Sequence, residues 1–472
     1  MKMRIQRIAL ILAGLAAIVF LPIAGCGGGS SSDSPAEPAG VPGFARGVIT
    51  AKGSVFVNGI EYDTSAATVT LDNLSGDDSG LAVGMIVDIK GHIDTATGLG
   101  TADAIVYACS IDGTIDAESI DPVAGTFEVF GQAILTDLTT VYDDTTGLAG
   151  TNPLVAGDRV EISGTRKGSS ILASRVELKN GSGEDFKLRG TVSSLTGSGF
   201  NLTLEGGTVF AITYTGTLEA GIANGSTVKI ETSSAPTGLS LSVAADKIEA
   251  AYELSAEDGD RIEVEGIVSG FTAGSPTTFT VDGIAVSASS ALATGVSDGI
   301  EVQVEGTMSG SVLVATSIEI SESADLELKG VVTAPNPATG TFKLNGATVY
   351  TGPETIFVDD SDTPVALFGI DDFAAGNTVE LKGYIDDASR LFAAKIERHT
   401  GETEAELQGL VSAKSGTSVT VYGLVIDTTP LFGNTGDRDS FLATVTAGAT
   451  AVKVVGTVSG TAVTWTSIEV DD

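Results

Sequence analysis

Apolar and polar residues take turns along most of this chain. In Val302-Gln303-Val304-Glu305 the valines fall on one side and the polar residues on the other, and Phe279-Thr280-Val281-Asp282-Gly283 repeats the period of two. That period describes a strand with one dry face. Val, Ile and Thr are abundant, single glycines punctuate the alternating stretches, and no long stretch keeps a helical period. The chain is therefore expected to be all-β.

Three landmarks recur in order. The first is a Gly followed by two strand residues, as in Arg46-Gly47-Val48-Ile49, with counterparts at Gly113, Gly190, Gly266, Gly330 and Gly409; successive intervals are 66, 77, 76, 64 and 79 residues. The second is a Gly-bounded alternating strand, such as Gly84 to Gly91, Gly157 to Gly164, Gly299 to Gly306 and Gly376 to Gly383. Two copies depart from it: Thr232 replaces the closing Gly, and Gly448 to Gly456 is one residue longer. The third closes the unit, as in Ala315-Thr316-Ser317-Ile318-Glu319-Ile320. Between the first two lie a Gly-turned hairpin, Val55-Phe56-Val57-Asn58-Gly59 in the first copy, and a more variable segment.

Each unit thus holds about five short strands. An open sheet that small leaves costly edges, so closure into a barrel is expected. The succession of landmarks resembles the family known as domain of unknown function 5666, over nearly all of residues 45 to 472. The resemblance implies small OB-like barrels in tandem, carried by bacterial envelope lipoproteins. That family has no established catalytic residues to carry over. The expected architecture is a tandem array of about six small five-stranded OB-like β-barrels after a lipoprotein signal (1–26) and a flexible tether (27–44). The barrels are assigned to 45–109, 110–180, 186–252, 260–322, 324–399 and 404–472. They are expected to fold separately, in a row on the order of 150 Å long, with Gly266 and Gly330 at turn or close-approach positions.

The N-terminus breaks the alternation. Lys2, Arg4 and Arg7 precede an unbroken apolar run from Ile8 to Phe20, which is the anatomy of a secretory signal. Leu21-Pro22-Ile23-Ala24-Gly25-Cys26 resembles the bacterial lipobox, with Ile23 where Leu is commoner. The resemblance implies that Cys26 is lipidated, that the signal is cut before it, and that several acyl chains anchor the protein in membrane lipid. Gly27 in place of Asp is compatible with the outer membrane under the enteric sorting rule. Residues 27 to 43, GGGSSSDSPAEPAGVPG, have the composition of a tether.

Charge narrows the partners. With 61 acidic and 25 basic residues the net charge is -36, which argues against nucleic acid, whose binding depends on neutralising phosphates. Disorder is excluded by 42% hydrophobic against 18% charged residues. Cys109, the second of two cysteines, is expected to be a small buried residue. His92 and His399 lie far apart in sequence and are expected at strand ends without a shared metal. Asp143-Asp144, Asp359-Asp360-Ser361-Asp362, Asp371-Asp372, Asp386-Asp387 and Asp437-x-Asp439 are oxygen-rich, but none has an EF-hand spacing, and solvated turn acids are the favoured reading over a weak Ca²⁺ site. Trp465 and Phe432 could offer a sugar platform, although burial is favoured. Neither a nucleophile elbow nor a phosphate loop is present. The expectation is a non-enzymatic, lipid-anchored envelope protein without cofactor, a spacer or binding array whose partner is an unknown protein or glycan. The alternative is a glycan- or Ca-binding surface protein or, less favoured, a polysaccharide hydrolase.

Overall fold

The computed structural model describes residues 40–52, 54–94, 96–179, 185–365, 368–386 and 390–471. Cys26, the signal and the tether as far as residue 39 lie outside the described residues. The first strand, Val41–Ala51, begins inside the stretch assigned to the tether: Val41 pairs with Ile93, and Phe44 is buried.

Five strands recur in each unit. In unit 5 they are Leu326–Asn336, Thr341–Leu344, Ala347–Tyr350, Thr378–Ile385 and Leu391–His399. The first pairs with the second, the second with the third, the third runs parallel to the fifth, and the fifth and fourth lead back to the first. Units 1 and 4 close by the same circuit. The order 1-2-3-5-4-1 is that of an OB-like barrel, and the fold is all-β. The variable segment of units 1, 2 and 5 contributes an extra strand, Thr68–Leu71, Val141–Asp143 and Ile356–Asp360, parallel to the fifth.

The landmark glycines have a packing reason. The side chain that opens the second-to-third turn folds back over the first-strand Gly: Asn58 over Gly47, Phe130 over Gly113, Asp282 over Gly266, Asn345 over Gly330 and Tyr422 over Gly409. A Cβ at Gly330 would overlap Asn345 Oδ1. Asn345 uses the space to donate to Lys329 O (2.6 Å) and accept from Val331 N–H (3.0 Å), and Tyr422 donates to Gln408 O (2.9 Å). The Gly that closes the second landmark sits at a bulge between fourth and fifth strands, as at Lys382/Gly383, where a Cβ would strike Phe392 O.

Unit 6 departs from the expected barrel. Its first, fourth and fifth strands, Glu404–Leu410, Ala451–Ser459 and Ala462–Asp471, belong to one sheet; Ala413–Ser415, Ser418–Val421 and Leu424–Asp427 form another. A helix, Thr435–Thr444, precedes the fourth strand. The alternation pattern gave no sign of it because it buries no residue, so it carries no apolar stripe. Its start is set by Asn434, whose side chain accepts from Asp437 N–H (2.9 Å).

The expectation of a single row is overturned. The second strand covers the first only from the landmark Gly onward or beyond it, so the half before that Gly has a bare edge. Another unit's first strand fills it. Gly43–Arg46 of unit 1 runs parallel to Arg261–Val264 of unit 4. Ile111 and Asp112 of unit 2 face Leu188 and Lys187 of unit 3, and Leu328 and Lys329 of unit 5 face Leu407 and Glu406 of unit 6. Units 2 and 3 share one apolar core, as do units 5 and 6; Phe44 of unit 1 packs in the core of unit 4. Contacts also cross between pairs, as where Lys395 Nζ of unit 5 donates to Thr140 O of unit 2 (2.9 Å).

Candidate functional site

The polar chemistry of the folded body gathers where units meet. Lys187 of unit 3 extends its ammonium to Asp72 of unit 1 and to Glu161 of unit 2 (3.2 Å). Lys229 Nζ donates to Asp72 O (2.6 Å), and Tyr107 Oη donates to Glu161 (3.0 Å). Cys109 lies here, 2% exposed, its amide bonded to Asp72 Oδ1 (2.8 Å). Burial and the neighbouring Asp72 push its thiol well up. Ligand atoms of Asp72, Cys109 and Glu161 come within 4.8 Å of one another, but the ammonium groups of Lys187 and Lys179 already pair with the two carboxylates. Cys109 is a buried free thiol in this junction.

Beside it is a polar cavity of about 30 Å³, room for one or two waters. Arg46, Asp88, Ser110, Arg189, Glu205 and Glu253 line it. Arg46 spans units, bonded to Asp88 (3.0 Å) and to Asp282 of unit 4 (3.2 Å). Ser110 Oγ of unit 2 donates to Glu205 of unit 3 (2.9 Å).

Most of the acids singled out in the sequence are held by local partners. Asp143 pairs with Arg175, and Asp359 with Arg398 (2.8 Å). Asp372 accepts from Gly369 N–H (3.0 Å), and Asp386 takes Arg390 Nε (2.7 Å). Asp437 and Asp439 belong to the helix, and Asp439 pairs with Arg438 (2.7 Å). His92 and His399 stand beside Asp103 (3.0 Å) and Asp360 (3.4 Å) in different units. Asp360, Glu397 and His399 do cluster within 4.8 Å on the surface of unit 5, with Lys395 3.3 Å from Glu397. Trp465 and Phe432 pack partly buried against the shared core of units 5 and 6.

The sequence reading missed a difference between units. On the outer face of the first, fourth and fifth strands, charges are mixed and paired in units 2, 3 and 5: Arg159 with Asp112 (2.7 Å), Lys229 with Glu231 (2.9 Å), and Lys329 with Glu380 (2.8 Å). Burial works against ionised Glu380, yet Lys382 and Lys329 hold it down at about 2. Unit 4 instead carries Glu263, Glu265, Glu301, Glu305 and Glu319, with Arg261 3.6 Å from Glu305. Burial, joined by repulsion from Glu305, pushes Glu263 up to about 8; burial with Glu354, and burial with Glu265, do the same for Glu265 and Glu301. The signal was legible as Glu one and three residues before Gly266, where unit 3 has Arg189 and Lys187.

Among curated proteins, none matches the chain. The model of the family described as Domain of unknown function (DUF5666) matches residues 46–105, 112–177, 265–319 and 329–397, which correspond to units 1, 2, 4 and 5 and together exceed half of the chain. With its landmark glycines, hairpins and barrel circuit repeated in those segments, the chain belongs to the DUF5666 family.

Proposed function

We propose that this chain is a non-enzymatic cell-envelope lipoprotein. Lipid on Cys26 holds one end, residues 27 to 40 give reach, and the docked barrels present loops to an extracellular or periplasmic partner. The observation that carries this reading is the order of the N-terminal segments: basic residues, apolar run, Ile23-Ala24-Gly25-Cys26, and a Gly/Ser/Pro stretch that leads into the strand at Val41. Gly27 in place of Asp permits the outer membrane. The expected result for Cys26→Ser is unprocessed precursor or soluble protein with no acyl label. A variant still found as a cleaved species that needs detergent for extraction would sink the reading.

A glycan is the partner with a surface to support it. Tyr350, Phe392 and Tyr384 form a half-buried row on unit 5, with ring centroids 6.5 and 5.7 Å apart and planes within 14° and 19° of parallel. Arg390 lies 5.0 Å from the Tyr350 ring. OB-like barrels bind oligosaccharides through a sheet face and its loops. On a glycan array the chain is expected to retain polysaccharide ligands that Tyr384→Ala loses at least tenfold. Equal retention by the variant, or none by either protein, rejects this surface.

A further inference from the structure

The fifth strand of unit 5 carries Glu397 and His399 two residues apart, and therefore on one face. The extra strand Ile356–Asp360 runs parallel beside it and ends with Asp360 opposite His399. On the other flank Thr378 pairs with His399, and its Oγ1 donates to His399 O (3.0 Å). Backbone pairing on both sides thus fixes where these side chains start. Ligand atoms of Asp360, Glu397 and His399 all lie within 4.8 Å of one another. Asp360 Oδ2 and His399 Nδ1 are 3.4 Å apart, long for an N–H···O hydrogen bond. That separation matches the edge of a tetrahedron, roughly 3.4 Å, whose centre is a metal with bonds of about 2.0–2.1 Å.

Unit 2 holds a cation at the equivalent place. Ile356 pairs with Lys395 as Val141 pairs with Arg175, so His399 occupies the position of Lys179. The Lys179 ammonium lies 2.7 Å from Glu177 and 3.2 Å from Glu161, the counterparts of Glu397 and Glu380. Unit 5 replaces that ammonium with an imidazole, and its longer extra strand adds the carboxylate of Asp360. Glu380 is held by Lys329 and Lys382. Lys395 approaches Glu397 Oε2 (3.3 Å), but its ammonium is committed to Thr140 O of unit 2 (2.9 Å), and Glu397 has a second oxygen to offer.

We propose that Asp360, Glu397 and His399 form a binding site for a divalent transition-metal ion, with Zn²⁺ the best fit. Imidazole and carboxylate are both zinc donors, and three protein ligands leave a fourth position for water. The Asp360 side chain is 72% exposed, so the open position faces solvent. Ca²⁺ and Mg²⁺ take oxygen ligands, and the imidazole argues against both. The ion ties the end of the extra strand to the fifth strand. It supplies from solution the positive charge that unit 2 carries in its own sequence. The site is independent of the envelope role proposed above.

Calorimetric titration and thermal unfolding of the chelator-stripped mature chain, with ZnCl₂ alone, test the proposal. The expected result is a saturable site with Kd of about 10⁻⁵ M, weaker than a four-ligand structural site, and a rise in Tm on saturation. His399→Lys rebuilds the arrangement of unit 2, so in chelator it should keep or raise the Tm. It should nevertheless lose the zinc-dependent rise and bind at least about tenfold more weakly. Asp360→Asn, at an exposed position, should fold and weaken binding in the same way. His92→Gln should bind as the wild type does: His92 has Asp103 beside it (3.0 Å) and no third ligand within reach among the described residues. Carboxylates elsewhere on this acidic chain are common to all four proteins, so the differences between them report this site. A wild-type Tm that does not respond to about 1 mM ZnCl₂, a hundredfold excess over that Kd, overturns the site. So does a wild-type response in either unit 5 variant, or loss of the response in His92→Gln.

Discussion

Gly330→Val is expected to unfold units 5 and 6 together. The new Cβ would stand where Asn345 Oδ1 now lies, so Asn345 must leave its place over the first strand. Two hydrogen bonds go with it, to Lys329 O and from Val331 N–H, and the latter amide is left inside the barrel. Overpacking typically costs about 1–3 kcal/mol and each lost hydrogen bond about 1 kcal/mol, so the total should reach about 3–5 kcal/mol. The loss should not stop at unit 5. Leu328 of its first strand pairs with Leu407, and both belong to a core that also holds Val452 and Val454 of unit 6. Hydrogen exchange resolves this unit by unit. Protection should fall in both units and persist in units 2 and 3. Adding Asn345→Gly should recover part of the loss by clearing the space. A drop confined to unit 5, or smaller than about 1 kcal/mol, would show that the turn side chain is not what the Gly accommodates.

Lys187→Met should loosen the junction of units 1, 2 and 3. Asp72 and Glu161 have side chains 8% and 6% exposed, and both rely on this ammonium. Lys179 remains on Glu161 at 3.2 Å, while Asp72 would keep its amide donor from Cys109. Stranding a buried charge in this way costs about 3–5 kcal/mol. The pH dependence identifies the cause. In the wild type, burial pushes Glu161 up but Lys187 and Lys179 outweigh it, so its carboxyl sits below the ordinary 4.5. A lowered folded value contributes stability that is present above 4.5 and lost as pH falls. Without Lys187, burial prevails and the sign reverses. The deficit of the variant should therefore be largest near pH 7 and shrink in acid. A deficit that stays constant from pH 4 to pH 7 would mean that the lysine acts through packing alone.

Barrels were legible because their causes are local. The alternation of Val302 and Val304, the turn after Phe279-Thr280-Val281, and the bulge at Gly306 all repeat within one unit. Docking was not legible, because the alternation before each landmark Gly leaves a pairing edge in every copy and names no partner for it. Nothing in Gly43–Arg46 announces Arg261–Val264 as its partner. The candidate site fell between the two. Clustered aspartates in turns drew notice, yet most of them bond neighbouring side chains or amides. The glutamates of unit 4 were hidden in regular alternation, and they differ only when the same positions are compared across units.

Pairing out of chain order has a bearing on how such a gene can change. Where repeats touch only their neighbours, copies can be gained or dropped by slippage and the remainder still stacks. Here the first strand of unit 1 rests on a segment that begins at Arg261, beyond two intervening units. Excising unit 4 would strip that edge from unit 1 and remove the pocket that receives Phe44. Excising unit 2 would leave unit 3 without its shared core. Copy number is thereby tied to shape, so lineages that vary it should gain or lose units in mutually docked sets, and a single-unit deletion should be met as an insoluble or degraded product.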